Sequence, residues 1–241
     1  MAASRPPRTM LVPRRTGRGA NGAYAAGGTE LTFVTLAVGG IFAVLGGGAE
    51  RLASVWPPDE ASQRPPGART VILAGLSGLA ASVITARSAL PWWATAVYLA
   101  LLALMVVLAA TDLEQRRLPH VVLDPLIALA VVFVPFNPAV APLDALIGAV
   151  AAVGFLGALA LIVRGGLAVG DLYLVAPIGL MLGWPAVFTA LFAAAFLAAG
   201  TSLALLAARR VGMRSYIPFG PFLVGGAVLA LVLGDVLSVL R

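Results

Sequence analysis

Eight stretches of this chain are too apolar to be left in water, and that fact constrains its architecture more than any other. They run Leu31–Gly48, Thr70–Ala86, Trp92–Ala110, Val121–Phe136, Leu143–Val163, Asp171–Leu182, Ala186–Ala207 and Ile217–Leu240. An apolar run of roughly 18 residues or more is long enough to cross the hydrocarbon of a bilayer. Inside lipid a backbone must pair its own N–H and C=O groups, which leaves the helix as the form open to separate runs of this kind. With 61% hydrophobic and 11% charged residues, nothing remains from which to build a soluble domain. The expectation is an all-α, polytopic membrane protein of about eight transmembrane helices.

The runs sit in a simple organisation. Residues 1–30 form a basic tail, with Arg5, Arg8, Arg14, Arg15 and Arg18 among Pro, Gly and Ala. Such a composition buries no core and predicts disorder; Met10 offers an alternative start. Residues 31–241 form one membrane domain. The loop Ala49–Arg69, containing WPPDE and RPPG, reads as a flexible connection. With eight spans, Arg51, Arg64, Arg69, Arg116, Arg117, Arg164, Arg209, Arg210 and Arg214 fall on one face, against Arg87 and Arg241 on the other. The positive-inside rule makes the first face cytoplasmic. The tail then lies on the opposite side, against the rule, unless the first run does not span.

Residue types narrow the chemistry. The chain has no cysteine and one histidine, His120, so thiol catalysis, disulfides and a His- or Cys-cluster metal site are excluded. All its basic residues are arginine, and the net charge of +6 is spread over loops and tail. This suits anionic lipid head groups better than nucleic acid. No cofactor and no metal is required.

Two acids stand out because they border hydrocarbon. Asp112 follows AVYLALLALMVVLAAT and opens TDLEQRRLPH; Asp171 lies in RGGLAVGDLYLVAPIGLMLGW. An ionisable residue there is expensive, and so marks function by default. Two carboxylates can hydrolyse a peptide bond: one, ionised, takes a proton from water, and the other, protonated, donates to the carbonyl oxygen. Held close, two such groups do not both ionise readily. The arrangement requires the helix that ends near Asp112 to pack beside the helix that begins at Asp171. Gly165, Gly166 and Gly170 let the backbone turn and approach closely there. The plain alternative is that each aspartate caps a helix or sits at the interface.

Three ordered segments, Asp112–Pro119, the Gly170-Asp171 stretch with Gly179, Gly183 and Trp184, and Ile217–Ala227 (IPFGPFLVGGA), resemble the type IV prepilin peptidases, GxGD-type intramembrane aspartyl proteases. The likeness covers roughly Trp92 to Leu240. It implies that Asp112, seven residues before Pro119, and Asp171 are catalytic. It also implies substrate contact by Gly170, Glu114 and Pro119, with Glu114 meeting a basic leader. The substrates implied are prepilins or pseudopilins, cleaved after Gly ahead of a hydrophobic helix at the cytoplasmic face of the inner or plasma membrane. The partners implied are pilus or type II secretion assembly components.

The chain departs from the family's pattern at Ala168, which replaces the first Gly of GxGD, at Tyr173, where Lys is common, and at His120, where Asp or Asn is usual. It also lacks the Cys-bearing insert of longer members, so the peptidase reading stands better than the N-methyltransferase one. Two other classes stay open: a catalytically silent assembly factor and an ion-coupled transporter. Arg116 and Arg117 read as lipid-phosphate contacts and His120 as a boundary residue. Asp124 is expected to line the same polar cavity or to have no role, Asp144 to cap the fifth helix, and Asp235 to be interfacial. Pro91-Trp92-Trp93 reads as an aromatic belt anchor, and Gly39-Gly40 and Gly46–Gly48 as sites of close helix packing.

Overall fold

The computed structural model describes residues 18–56, 62–162, 168–209, 212 and 217–234. They form eight helices: α1 (Arg18–Val55), α2 (Ala68–Arg87), α3 (Trp92–Gln115), α4 (His120–Phe133), α5 (Pro142–Ile162), α6 (Val169–Leu182), α7 (Ala186–Ala207) and α8 (Gly220–Leu233). A single 3-10 turn, Val134–Phe136, extends α4, and the described residues contain no strand. The all-α membrane architecture expected from the apolar runs is the one observed. Large apolar side chains such as Phe33, Val44, Val71, Val150 and Phe196 face outward, as a lipid-bathed surface requires.

Two boundaries differ from expectation. Helix α1 begins at Arg18, so residues 18–30 of the basic tail are helical. Once an apolar span has nucleated a helix, adding residues at its end needs no new nucleus. The last run begins as a helix only at Gly220 rather than Ile217. Val163, Arg164, Gly165, Gly166 and Asp235 lie outside the described residues, as do the rest of the tail and Arg210, Arg214 and Arg241.

The eight helices differ in length. Segments of α1, α2, α3, α5 and α7 are long and apolar enough to cross a membrane, whereas α4, α6 and α8 are shorter. The short ones have 14 residues each, about 21 Å at 1.5 Å per residue, against ~30 Å of hydrocarbon. The starts of all three gather near the end of α3. Gly170 of α6 abuts Leu118 just ahead of α4, and Gly220 of α8 abuts Asp112. The end of α3 and the starts of α4 and α6 frame a recess there.

Helix α3 lies at the centre. Leu101, Leu102, Met105, Leu108 and Ala110 are all but sealed from outside, with α1, α2, α4 and α8 packed around them. Helix α6 packs on α4, α5 and α8. It runs antiparallel to α3, since its end meets Tyr98 at the start of α3 and its start shares a cleft with Asp112 at the end of α3. Far from the recess, Asn137 donates to the Tyr98 hydroxyl (3.0 Å), which donates to the Met181 carbonyl at the end of α6 (3.2 Å). Tyr98 is fully buried. Small residues let other pairs approach: Gly39 and Gly46 of α1 lie against Ser82, Gly78 and Ser77 of α2, whereas Gly40 and Gly48 face open space. The Trp92 ring is 83% exposed at the start of α3, as a belt anchor should be. Asp144 lies in the first turn of α5, and its carbonyl accepts the Trp184 N–H (2.9 Å).

Candidate active site

A cleft of about 330 Å³ opens in the recess. Asp112, Arg116, Arg117 and Leu118 line it from the end of α3, His120 and Leu123 from α4, and Ala168 to Asp171 with Tyr173 from α6. Asp112 is 5% exposed and Asp171 2%, so these two acids are nearly withdrawn from solvent while sharing one cavity.

Each is placed by a helix start. Asp171 occupies the first turn of α6, and its Oδ2 accepts the Ala168 N–H at 3.1 Å. Asp112 lies in the last turn of α3, where its Oδ2 accepts the N–H of Gly220, the first residue of α8, at 3.0 Å. Free N–H groups and the positive end of a helix dipole favour a carboxylate at both places. The capping alternative weighed from sequence is thus present in the geometry, together with a shared cleft that capping alone does not require. Beyond Asp112, α3 stops sharply. Arg116 takes the left-handed conformation (φ 55°), and its N–H bonds to the Asp112 carbonyl (2.9 Å). Pro119 then starts α4.

The other expected site residues divide. Gly170 lines the cleft, and a side chain there would press on Leu118, with a Cβ 3.1 Å from its Cδ1. Pro119 starts α4 between two cleft residues and does not itself line the cavity. Glu114 does not face the cleft. It lies within α3, its side chain 5% exposed, and pairs with Arg64 (3.0 Å) and Arg69 (3.6 Å). A basic leader would therefore compete with two arginines already in place. Arg116 and Arg117, read from sequence as lipid contacts, line the cleft, as does His120. The His120 ring pairs with Asp124 (3.2 Å) and meets the Tyr173 ring edge-on at 5.6 Å between centroids. Two departures from the family pattern are thus neighbours across one cavity. Asp124 is exposed and outside the cleft lining. Among the described residues no group of three or more His, Cys, Asp or Glu could hold a metal.

Sequence reasoning missed Gly220, Glu50 and Arg64. Glu50 is 3% exposed near the end of α1 and meets Arg64. The rule that flagged Asp112, an acid bordering an apolar run, would have flagged Glu50 as well.

Fold and site together define a polytopic α-helical membrane protein with a recessed pair of carboxylates. Residues 99–203, which include all of the cleft lining, match the type IV leader peptidase family. Among similar proteins, the prepilin leader peptidase/N-methyltransferase of Bacillus subtilis (strain 168) is 32% identical over 141 residues, 56% of this chain and 54% of that protein. The prepilin leader peptidase/N-methyltransferase of Aeromonas hydrophila is 32% identical over 178 residues, 72% of this chain and 61% of that protein. That of Aeromonas salmonicida (strain A449) is 32% identical over 159 residues, 64% and 55% respectively. The chain thus spans little more than half the length of these relatives. No solved structure matches it significantly.

Proposed function

We propose that this protein is an aspartic endopeptidase of the membrane that removes the basic leader from prepilin-like or pseudopilin precursors, using Asp112 and Asp171. The observation that carries the reading is the placement of two almost fully buried carboxylates on one cleft, within the family segment. Similarity to prepilin leader peptidases supplies the substrate class.

The chemistry follows from the site. One aspartate, ionised, accepts a proton from a water in the cleft as that water attacks the scissile carbonyl carbon. The other, protonated, donates to the carbonyl oxygen, giving a neutral diol. The first aspartate then gives its proton to the amide nitrogen while the second takes one from a diol hydroxyl, which breaks the C–N bond and restores the pair. Helix starts at Ala168 and Gly220 hold one oxygen of each carboxylate, so neither has to find its place during reaction. The cleft opens where the end of α3 meets the starts of α4 and α6, so that a precursor helix lying in the bilayer can present its polar end there and water can enter.

By the positive-inside rule, the excess of arginine counted from sequence in the connections on one face supports a site at the cytoplasmic face of the plasma or inner membrane. Pilus or secretion assembly components are the corresponding partners. The proposal is confined to the peptidase reaction. Its test is leader removal from a prepilin-like precursor in membranes, comparing the wild type with Asp112→Asn and Asp171→Asn. Both variants keep shape and hydrogen-bonding capacity and lose the acid. Loss of cleavage in both, with the protein still in the membrane, is expected. Cleavage that persists in either rejects the pair, and a wild type that cleaves nothing favours a catalytically silent assembly factor.

A further inference from the structure

Arg64 lies in the connection between α1 and α2, outside the family segment and far in sequence from either cleft aspartate. Its guanidinium nevertheless joins two carboxylates that the bundle has withdrawn from solvent. It pairs with Glu50 of α1 and, at 3.0 Å, with Glu114 of α3; those side chains are 4% and 5% exposed. Arg69 reaches Glu114 at 3.6 Å. Thr70 donates its hydroxyl to Glu50 at 2.6 Å, and Arg51 donates to the Arg64 carbonyl, which pins the connection's backbone. One residue beyond Glu114, the Gln115 amide donates to the carbonyls of Ala53 and Trp56, both at 2.9 Å, at the end of α1.

These contacts from the α1–α2 hairpin end on one target, the final turn of α3, which carries Asp112. From another direction the Gly220 N–H holds that same turn through the carboxylate itself. Buried ion networks are weak contributors to stability beside well-packed apolar residues, because desolvation offsets most of their attraction. What Arg64 supplies is fixed geometry, since one terminal nitrogen, Nη2, meets both carboxylates and ties them to set positions. A hairpin needing only to pack on α3 could do so with leucines. We infer that Arg64 is a positioning residue: by bridging Glu50 and Glu114 it fixes the last turn of α3, and so sets Asp112 in register with Asp171. This rests on the peptidase reading above.

The test uses the full chain in proteoliposomes with a prepilin-like precursor, normalising rates to folded protein. Arg64→Gln alone would take from two buried acids the counter-ion they share, so the network is neutralised as a whole in E50Q/R64Q/E114Q, which keeps the two acid positions the same size. The expected result is a fall in kcat of roughly tenfold to a hundredfold, the usual consequence of sub-ångström misplacement of a catalytic group. KM should stay within about twofold, because substrate contacts are untouched. R64K, which keeps the charge on a shorter and less rigid side chain, should fall between the triple variant and the wild type. A triple variant with wild-type kcat per folded molecule, or one impaired through KM alone, overturns the inference. If the triple variant is lost from the membrane, R64K decides: reduced kcat at unchanged KM supports the inference, and wild-type kcat overturns it. Asp112→Asn is run alongside. Cleavage by that variant removes the peptidase reading and this inference together, whereas an inactive Asp112→Asn beside a fully active triple variant removes this inference alone.

Discussion

Replacing Gly220 with alanine adds one methyl group at the point where α8 meets Asp112. An ideal Cβ there would sit 2.6 Å from Asp112 Oδ2 and 3.2 Å from its Cγ. Relief of the first contact requires the carboxylate or the start of α8 to move by about half an ångström or more, since non-bonded carbon and oxygen do not approach so closely. Asp112 borders the cleft, so its carboxylate yields by turning toward that space and away from Gly220. The same movement stretches the Gly220 N–H bond to Oδ2, a hydrogen bond to a charged group worth about 1.5–3 kcal/mol. Against this stands helix propensity, which favours alanine over glycine by about 1 kcal/mol in a helix interior and by less in a first turn. The two effects partly cancel, so stability in detergent should fall by no more than about 2 kcal/mol. Activity has no such compensation: a displaced carboxylate should reduce kcat on the order of tenfold to a hundredfold. The assay is precursor cleavage by purified, folded protein, with Gly225→Ala as control. At Gly225 the new Cβ approaches only the flexible end of Leu197 (3.2 Å to its Cδ1), and wild-type kcat is expected. Gly220→Ala with wild-type kcat and stability would refute the argument that the α8 start holds Asp112.

Two further perturbations separate fold from site. Tyr98→Phe removes the hydroxyl that joins Asn137 to the Met181 carbonyl and should lower the unfolding free energy by about 1–3 kcal/mol, leaving kcat per folded molecule unchanged. Thermal unfolding in detergent beside the cleavage assay checks both halves. Gly179→Ala would put a Cβ 2.5 Å from the Ala149 Cα, backbone that cannot swing aside, and should destabilise by about 1–3 kcal/mol or prevent membrane accumulation. Unaltered unfolding would show that α5 and α6 are less tightly apposed than the structure has them.

What could be read from the chain alone was whatever depends on solvent. Apolar runs separated by Arg- and Pro-bearing connections determine a helical membrane protein, because lipid leaves the backbone no other partner than itself. Acid at the edge of hydrocarbon is rare enough to expose Asp112 and Asp171 without any knowledge of their neighbours. Tertiary structure decided what depends on approach between distant segments. Glu114 looked free to greet a basic leader because sequence does not show that Arg64 and Arg69 reach it first. Gly220 looked like one more helix-entry glycine, and its meaning lies in an aspartate 108 positions earlier. His120 and Tyr173, two separate oddities along the chain, become one edge-on contact over the cleft. Hydropathy is a property of each residue and survives being written in a line, whereas a hydrogen bond between α8 and α3 exists only once folding has brought their ends within 3 Å.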